Sequence, residues 1–221
     1  MAHQVGVLLS GCGVMDGAEI HETVLTLLAL QQSGCDTVCI APDHDQAHVV
    51  DHLTGEPVEG EKRGMLAESA RIARGKIKSL ADVSSDSLDA LVLPGGFGAA
   101  KNLCDFDFKG HEMTVLPEVE TLLQAMHAAG KPICALCIAP VVVAKALASA
   151  SPEVTIGNEG GAAEVIESVG AKHILKNSAA DVHIDAKNKI VTTPAYMLAK
   201  NLVELNASIA SAIQAMVKML E

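Results

Sequence analysis

Short apolar runs that alternate with helix-length segments restrict this chain to few architectures. The stretches "QVGVLLS", "DTVCIAPD", "LDALVLPGG" and Ile133–Leu136 are too short for helices. Between them, "EIHETVLTLLALQQSG" carries helical apolar spacing and closes on Gly34. "VLPEVETLLQAMHAAGKP" is a second helix, with Pro117 near its first turn and Gly130 at its end. Near-continuous apolar strands are buried on both faces, and strands alternating with helices form βαβ units. The expected fold class is α/β: a three-layer α/β/α sandwich around a mainly parallel sheet.

The remaining pattern extends this reading. Residues 44–63 are polar and turn-rich, a surface excursion; a short helix at 67–75 and a strand at 76–80 follow. Beyond Ile133–Leu136 come a helix at 138–148, a strand at 153–157 and a helix at 162–170. "DVHID" and "KIVTT", joined through Lys187-Asn188, form an antiparallel addition, and a last helix starts at about Tyr196. Residues 1–221 hold no linker or repeat and are expected to form one domain. A chain of this length buries roughly 70% of its unfolded surface and needs no disulfide or metal staple.

Composition narrows the partners. Three Phe, one Tyr and no Trp leave few platforms for base stacking, and a net charge of −11 repels phosphate backbones and anionic membranes. Nucleic acid and membrane partners are therefore not expected. The longest apolar run, Ile133–Ala144, is too short to span a bilayer and contains Pro140. "LSGC" before Gly13 mimics a lipoprotein box, but no Lys or Arg precedes it and Val5–Leu9 is too short for a signal core. Six cysteines without framework spacing suit a reducing compartment, cytoplasmic or an organelle matrix.

In such sheets ligands bind beyond the carboxyl ends of the strands, where loops 10–19, 94–99 and 137–140 converge. "KPICALCIAP" offers two cysteines there. Cys134 falls inside the strand, so a redox CxxC pair lacks one exposed sulfur, and no second ligand pair completes a zinc site. Cys137 stands at a strand-to-helix corner with Ala135 and Ala139 two residues to either side, the small neighbours a nucleophile elbow requires. A helix starting just after it favours a thiolate, which predicts a thiol pKa below its usual ~8.5. A buried structural cysteine is the competing reading.

The glycines of "LVLPGGFG" can direct backbone N–H groups at an oxyanion or merely form a tight turn. Gly11, Gly13 and Gly17 are spaced one residue too long for a dinucleotide fingerprint, and no phosphate-binding P-loop is present. Asp16, Glu19, His21 and Glu22 follow as acid/base candidates, although Asp16 or Glu19 could simply cap the helix. On a helical wheel Ile20, Val24, Leu27 and Leu28 form the apolar face, His21 borders it, and Glu22 lies away from its centre. His44, His48 and His52 recur every fourth residue but in a polar setting that reads as solvated surface. His183 reads as packed within a strand.

Together "LVLPGGFGAAKNL", "ICALCIAP" and "GAEIHET" resemble the class I glutamine amidotransferase-like superfamily, in its PfpI and Parkinson-disease deglycase branch. "LSGCGVMDGAEIHETVLTLLAL", "HLTGE", "ESARIARGKI" and "NKIVTTPAYM" narrow the resemblance to the ElbB family (enhancing lycopene biosynthesis, or sigma cross-reacting protein). It implies a flavodoxin-like fold with the elbow nucleophile at Cys137 and its acidic partner at Glu22. The oxyanion site falls on Gly96, with Gly95, and the N–H of Ile138. From their positions in the chain, His21, Asn158 and Tyr196 are expected at its border, with a core or dimer contact as the competing reading of Tyr196. Peptidase and amidotransferase members carry a histidine beside or near the elbow cysteine, whereas Ile138 follows it here, which argues against proteolysis. The resemblance further implies a homodimer and glutathione-independent glyoxalase activity, taking glyoxal or methylglyoxal to glycolate or lactate without cofactor or metal. A redox sensor and a chaperone-like, partner-binding protein are the alternative function classes.

Overall fold

The computed structural model describes residues 2–221. Seven strands form one sheet: β1 (Gln4–Leu8), β2 (Asp36–Ala41), β3 (Ile77–Ser79), β4 (Ala90–Leu93), β5 (Ile133–Leu136), β6 (His183–Asp185) and β7 (Ile190–Thr193). Their order is β6-β7-β5-β4-β1-β2-β3, and all neighbours are parallel except β6 with β7. The expected three-layer α/β sandwich is what the chain forms. The "KIVTT" strand joins the parallel set beside β5, so only β6 runs antiparallel.

Alternation along the strands divides the core in two. Leu91, Leu93, Ile133 and Ala135 face one side, where helices α4 (Pro117–Ala128), α5 (Pro140–Ala146) and α6 (Gly161–Ser168) supply Leu123, Val142 and Ile166. Val5, Val7, Val92, Cys134 and Leu136 face the other, beneath α1 (Ile20–Gln32) and α7 (Leu202–Val217), which contribute Leu30, Leu205, Ile209 and Ile213. Helices α2 (Met65–Ile72) and α3 (Phe97–Lys101) flank the strand ends, and a single helical turn at Phe106–Lys109 follows α3.

Helix α1 reverses the sequence expectation. Its apolar row is the exposed one, with Ile20, Val24 and Leu28 at 42%, 49% and 43% exposure, while Glu22, Thr23, Thr26, Ala29 and Leu30 are buried. Close packing of α1 on α7 and the sheet selects small side chains for the contact, and this outweighs the hydrophobic count. Helix α7 begins at Leu202 rather than Tyr196, because Asn201 Oδ1 accepts the N–H groups of Val203 and Glu204, both at 3.0 Å. Residues 138–148 are helical only over Pro140–Ala146. Within 153–157 only Glu153–Val154 is strand, and it pairs with Lys172–His173 outside the main sheet. Its neighbouring donors are taken by side chains: Glu153 N–H by Asp185 Oδ2 at 2.9 Å, and Thr155 N–H by Thr192 Oγ1 at 2.9 Å.

β1 has β2 on one side and β4 on the other, so the order reverses there and a crevice opens between the loops after β1 and β4. These loops are clasped together. Glu19 N–H donates to Gly95 O (2.9 Å), Phe97 N–H to Val14 O (2.8 Å) and Gly98 N–H to Gly17 O (2.9 Å). Asn102 Nδ2 donates to the carbonyls of Ser10 and Asp16, both at 2.8 Å. A Cβ at Gly98 would come within 2.5 Å of both Ser10 Oγ and the Gly17 carbonyl carbon. Gly98→Ala is expected to lower unfolding stability by about 1–3 kcal/mol in chemical denaturation; an unchanged midpoint would show that the two loops are not tightly clasped.

Candidate active site

Cys137 is the residue after β5, and its backbone is left-handed, with φ 58°. A non-glycine residue holds that conformation only where its surroundings enforce it. Its N–H donates to Thr193 O at 3.0 Å, and fully buried Ala135 and Ala139 leave room for the bend. The corner aims the sulfur away from the strand toward the loop after β4, near the backbone N–H groups of Gly96 and Ile138.

Glu22 reaches the same sulfur from the first turn of α1. Glu19 caps that helix, its Oε2 accepting the Glu22 N–H at 2.6 Å, which fixes the direction of the first turn. The Glu22 side chain has no solvent exposure. Its Oε2 accepts the Gly95 N–H at 2.8 Å, its Oε1 accepts the Tyr196 N–H at 3.2 Å, and its carboxyl lies beside the Cys137 side chain. A Cβ on Gly95 would fall 2.6 Å from Cys137 Cβ and 2.7 Å from Glu22 Oε2, so only glycine lets carboxyl and thiol meet.

Burial, and then the charge of Glu19, push the Glu22 carboxyl up to about 7, against the pull of its two backbone donors. Burial followed by the Glu22 charge also raises the Cys137 thiol, while the N–H groups of Ile138 and Gly96 pull it down. This corrects the expectation of a lowered thiol: full desolvation beside a carboxylate outweighs the short helix that follows. The two groups therefore titrate as a pair.

The other expected residues separate. Gly95 is not free to bind an oxyanion, because Glu22 takes its N–H; Gly96 and Ile138 keep theirs toward the sulfur. His21 is exposed, its Nδ1 2.8 Å from the Tyr196 hydroxyl and 3.8 Å from Glu19 Oε1. Tyr196 lines the cleft over Cys137, whereas Asn158 is exposed and lies outside that lining. Cys134 is fully buried on β5, and burial pushes its thiol up to about 12. Asp16 is buried and accepts the Val50 N–H at 2.8 Å. His44, His48 and His52 lie on an irregular segment, against Glu118, Phe108 and Val50 respectively. His183 lies 3.3 Å from Glu153. Among the described residues no cluster of His, Cys, Asp or Glu could hold a metal ion.

Sequence reasoning missed the walls of the cleft. Val14, Phe97, Ala100, Phe106 and Met197 line it, and with Tyr196 they include three of the chain's four aromatic residues. That concentration of a scarce residue type was the available signal, but it appears only once the loops are brought together.

An elbow cysteine facing a buried carboxylate, on a mainly parallel three-layer sheet, defines a class I glutamine amidotransferase-like domain. Residues 12–204 match the model of the DJ-1/PfpI family, and the chain belongs to that family. It is 50% identical to the human glutamine amidotransferase-like class 1 domain-containing protein 3, mitochondrial, covering 89% of this chain and 75% of that protein. It is 46% identical to the rat ES1 protein homolog, mitochondrial, covering 96% of this chain and 82% of the relative. An isoprenoid biosynthesis protein with an amidotransferase-like domain from Ehrlichia chaffeensis superposes with a TM-score of 0.90 at 38% identity, over 97% of this chain and 99% of that one.

The raised carboxyl carries a stability consequence. The folded state holds the Glu22 proton more tightly than the unfolded chain, so this contribution is complete below about 4.5 and is lost as pH rises to about 7. Glu22→Gln removes that loss. Its stability relative to wild type is expected to rise by on the order of 3 kcal/mol between pH 4 and pH 8 in parallel denaturation curves. A difference independent of pH would contradict the raised carboxyl.

Proposed function

We propose that the protein is a glutathione-independent glyoxalase of the ElbB branch of its family, acting on small 2-oxoaldehydes through Cys137 and Glu22. The observation that carries this reading is the buried carboxyl set beside the elbow thiol across Gly95, with the Gly96 and Ile138 N–H groups near the sulfur. Glu22 carboxylate takes the thiol proton, and the thiolate adds to the aldehyde carbon. Glu22 returns that proton to the new alkoxide, giving a hemithioacetal. It then removes the proton on the former aldehyde carbon to give an enediolate, whose hydroxyl proton passes to the neighbouring oxygen, and returns the carbon-derived proton to the neighbouring carbon. The N–H groups of Gly96 and Ile138 stabilise the negative oxygen. The result is a thioester of a 2-hydroxy acid, which water cleaves to release the acid and the thiol. One carbon is oxidised and its neighbour reduced, so no external oxidant or reductant enters.

A homodimer belongs to the same reading, supported by the exposed row Ile20, Val24 and Leu28 on α1, which is suited to cover by a second copy. An organelle matrix fits better than the cytoplasm, because the human and rat relatives are named as mitochondrial. All six cysteines are free, and among the described residues no helix is long and apolar enough to cross a membrane.

The test follows methylglyoxal loss and lactate formation by the purified protein without glutathione or added metal. Wild type is expected to form lactate, Cys137→Ser to form none, and Glu22→Gln to lose about 10²-fold or more in turnover. Equal rates in wild type and Cys137→Ser would remove Cys137 from the chemistry. No lactate from wild type would refute the glyoxalase reading, and sulfinate at Cys137 after peroxide treatment would then support a redox sensor.

A further inference from the structure

The cleft that opens over Cys137 has a volume of about 190 Å³ and predominantly apolar walls. Val14, Phe97, Ala100, Phe106, Ile138 and Met197 surround it, and Tyr196 completes the rim. Val14, Phe97 and Met197 are left 39%, 47% and 44% exposed at its mouth, an apolar ring facing solvent beside the nucleophile. The chain has only three Phe and one Tyr, and Phe97, Phe106 and Tyr196 are gathered here. A carbonyl compound with a single methyl substituent would leave most of these walls uncovered.

The charges point the same way. Glu19 and Asp107 are the charged residues of the lining, and among the described residues no lysine or arginine lines the cleft. The neighbouring cation, Lys101, is turned to Asp107 at 3.6 Å and lies over the Phe97 ring, 4.9 Å from its centroid. It is thus already paired with an acid. An incoming carboxylate or phosphate would lose its hydration against apolar walls and meet two acids without a free counter-charge.

We infer that the preferred substrates are uncharged 2-oxoaldehydes bearing an aromatic or branched apolar substituent, which the Phe97–Phe106–Met197 wall accepts, and that anionic ones are rejected. This rests on the glyoxalase reading of Cys137 and Glu22 and adds the substrate class. For an aryl substrate, the aryl 2-oxoaldehyde and one water become the aryl 2-hydroxy acid. The aldehyde carbon is oxidised to the carboxyl level and the ketone carbon is reduced to the alcohol.

The experiment compares methylglyoxal, phenylglyoxal and 4-carboxyphenylglyoxal by kcat/KM. Phenylglyoxal is expected to exceed methylglyoxal by about tenfold or more, the scale at which apolar pockets discriminate, and the carboxylate is expected to fall below phenylglyoxal by at least as much. Phe97→Ser, at a half-exposed position, should lower the phenylglyoxal value and narrow its ratio to methylglyoxal. Methylglyoxal as the best substrate, or a carboxylate handled as well as phenylglyoxal, would overturn the inference. Alkylation of Cys137 is measured in parallel by peptide mass spectrometry, with N-benzyl iodoacetamide, iodoacetamide and iodoacetate. The expected order of rates, relative to each reagent's rate with free cysteine, is benzyl first and iodoacetate last. That order without turnover of any oxoaldehyde would leave the apolar cleft standing and refute only the glyoxalase reading. The reverse order would refute the apolar preference whatever the turnover.

Discussion

A carboxyl without solvent contact, set beside a buried thiol, is the interaction around which the rest of the site is arranged. Removing either charge from water is expensive, and placing two acids together raises both. The fold tolerates the pair because Gly95 and Tyr196 donate to Glu22, while the N–H groups of Gly96 and Ile138 pull the Cys137 thiol back down. Those donors come from the loops after β4 and β7 and from the elbow itself, while the Glu22 carboxyl arrives on α1. A misplacement in any one of these elements would leave a buried charge unpaired.

The constraint explains local choices that look unrelated. Glycine at 95 permits the thiol–carboxyl contact, and glycine at 98 lets the loop after β1 close on α3. Glu19 performs two tasks, since its oxygen caps α1 and its charge helps to raise Glu22. The left-handed backbone at Cys137 is the conformational cost of lifting a side chain out of a parallel sheet at its carboxyl end. The cleft above the sulfur is apolar, so the same environment that raises both acids also suits an uncharged ligand.

Much of this was legible in the residues. Apolar runs identified four of the seven sheet strands, β1, β2, β4 and β5, and their parallel arrangement, because a strand buried on both faces leaves no polar alternation. The small neighbours of Cys137 marked the elbow. Helix α1 was misread by periodicity, because its close contact buries Thr23, Thr26 and Ala29 and leaves Val24 and Leu28 outside. Glu22 shares that small-residue face, so only the family pattern pointed to it. The start of α7 was hidden for another reason: Asn201, a single capping residue, overrode apolar spacing that continues back to Tyr196. The direction of the thiol shift was not readable at all, since desolvation depends on what covers the sulfur.

The central claim is that Cys137 and Glu22 titrate as one coupled pair, and the rate of Cys137 alkylation by iodoacetamide as a function of pH tests it most directly. In wild type the rate should climb through an inflection near the pH of about 7 at which the pair gives up its first proton, and Glu22→Gln should lack that step. A single titration at an ordinary thiol pKa, identical in wild type and Glu22→Gln, would contradict the coupling.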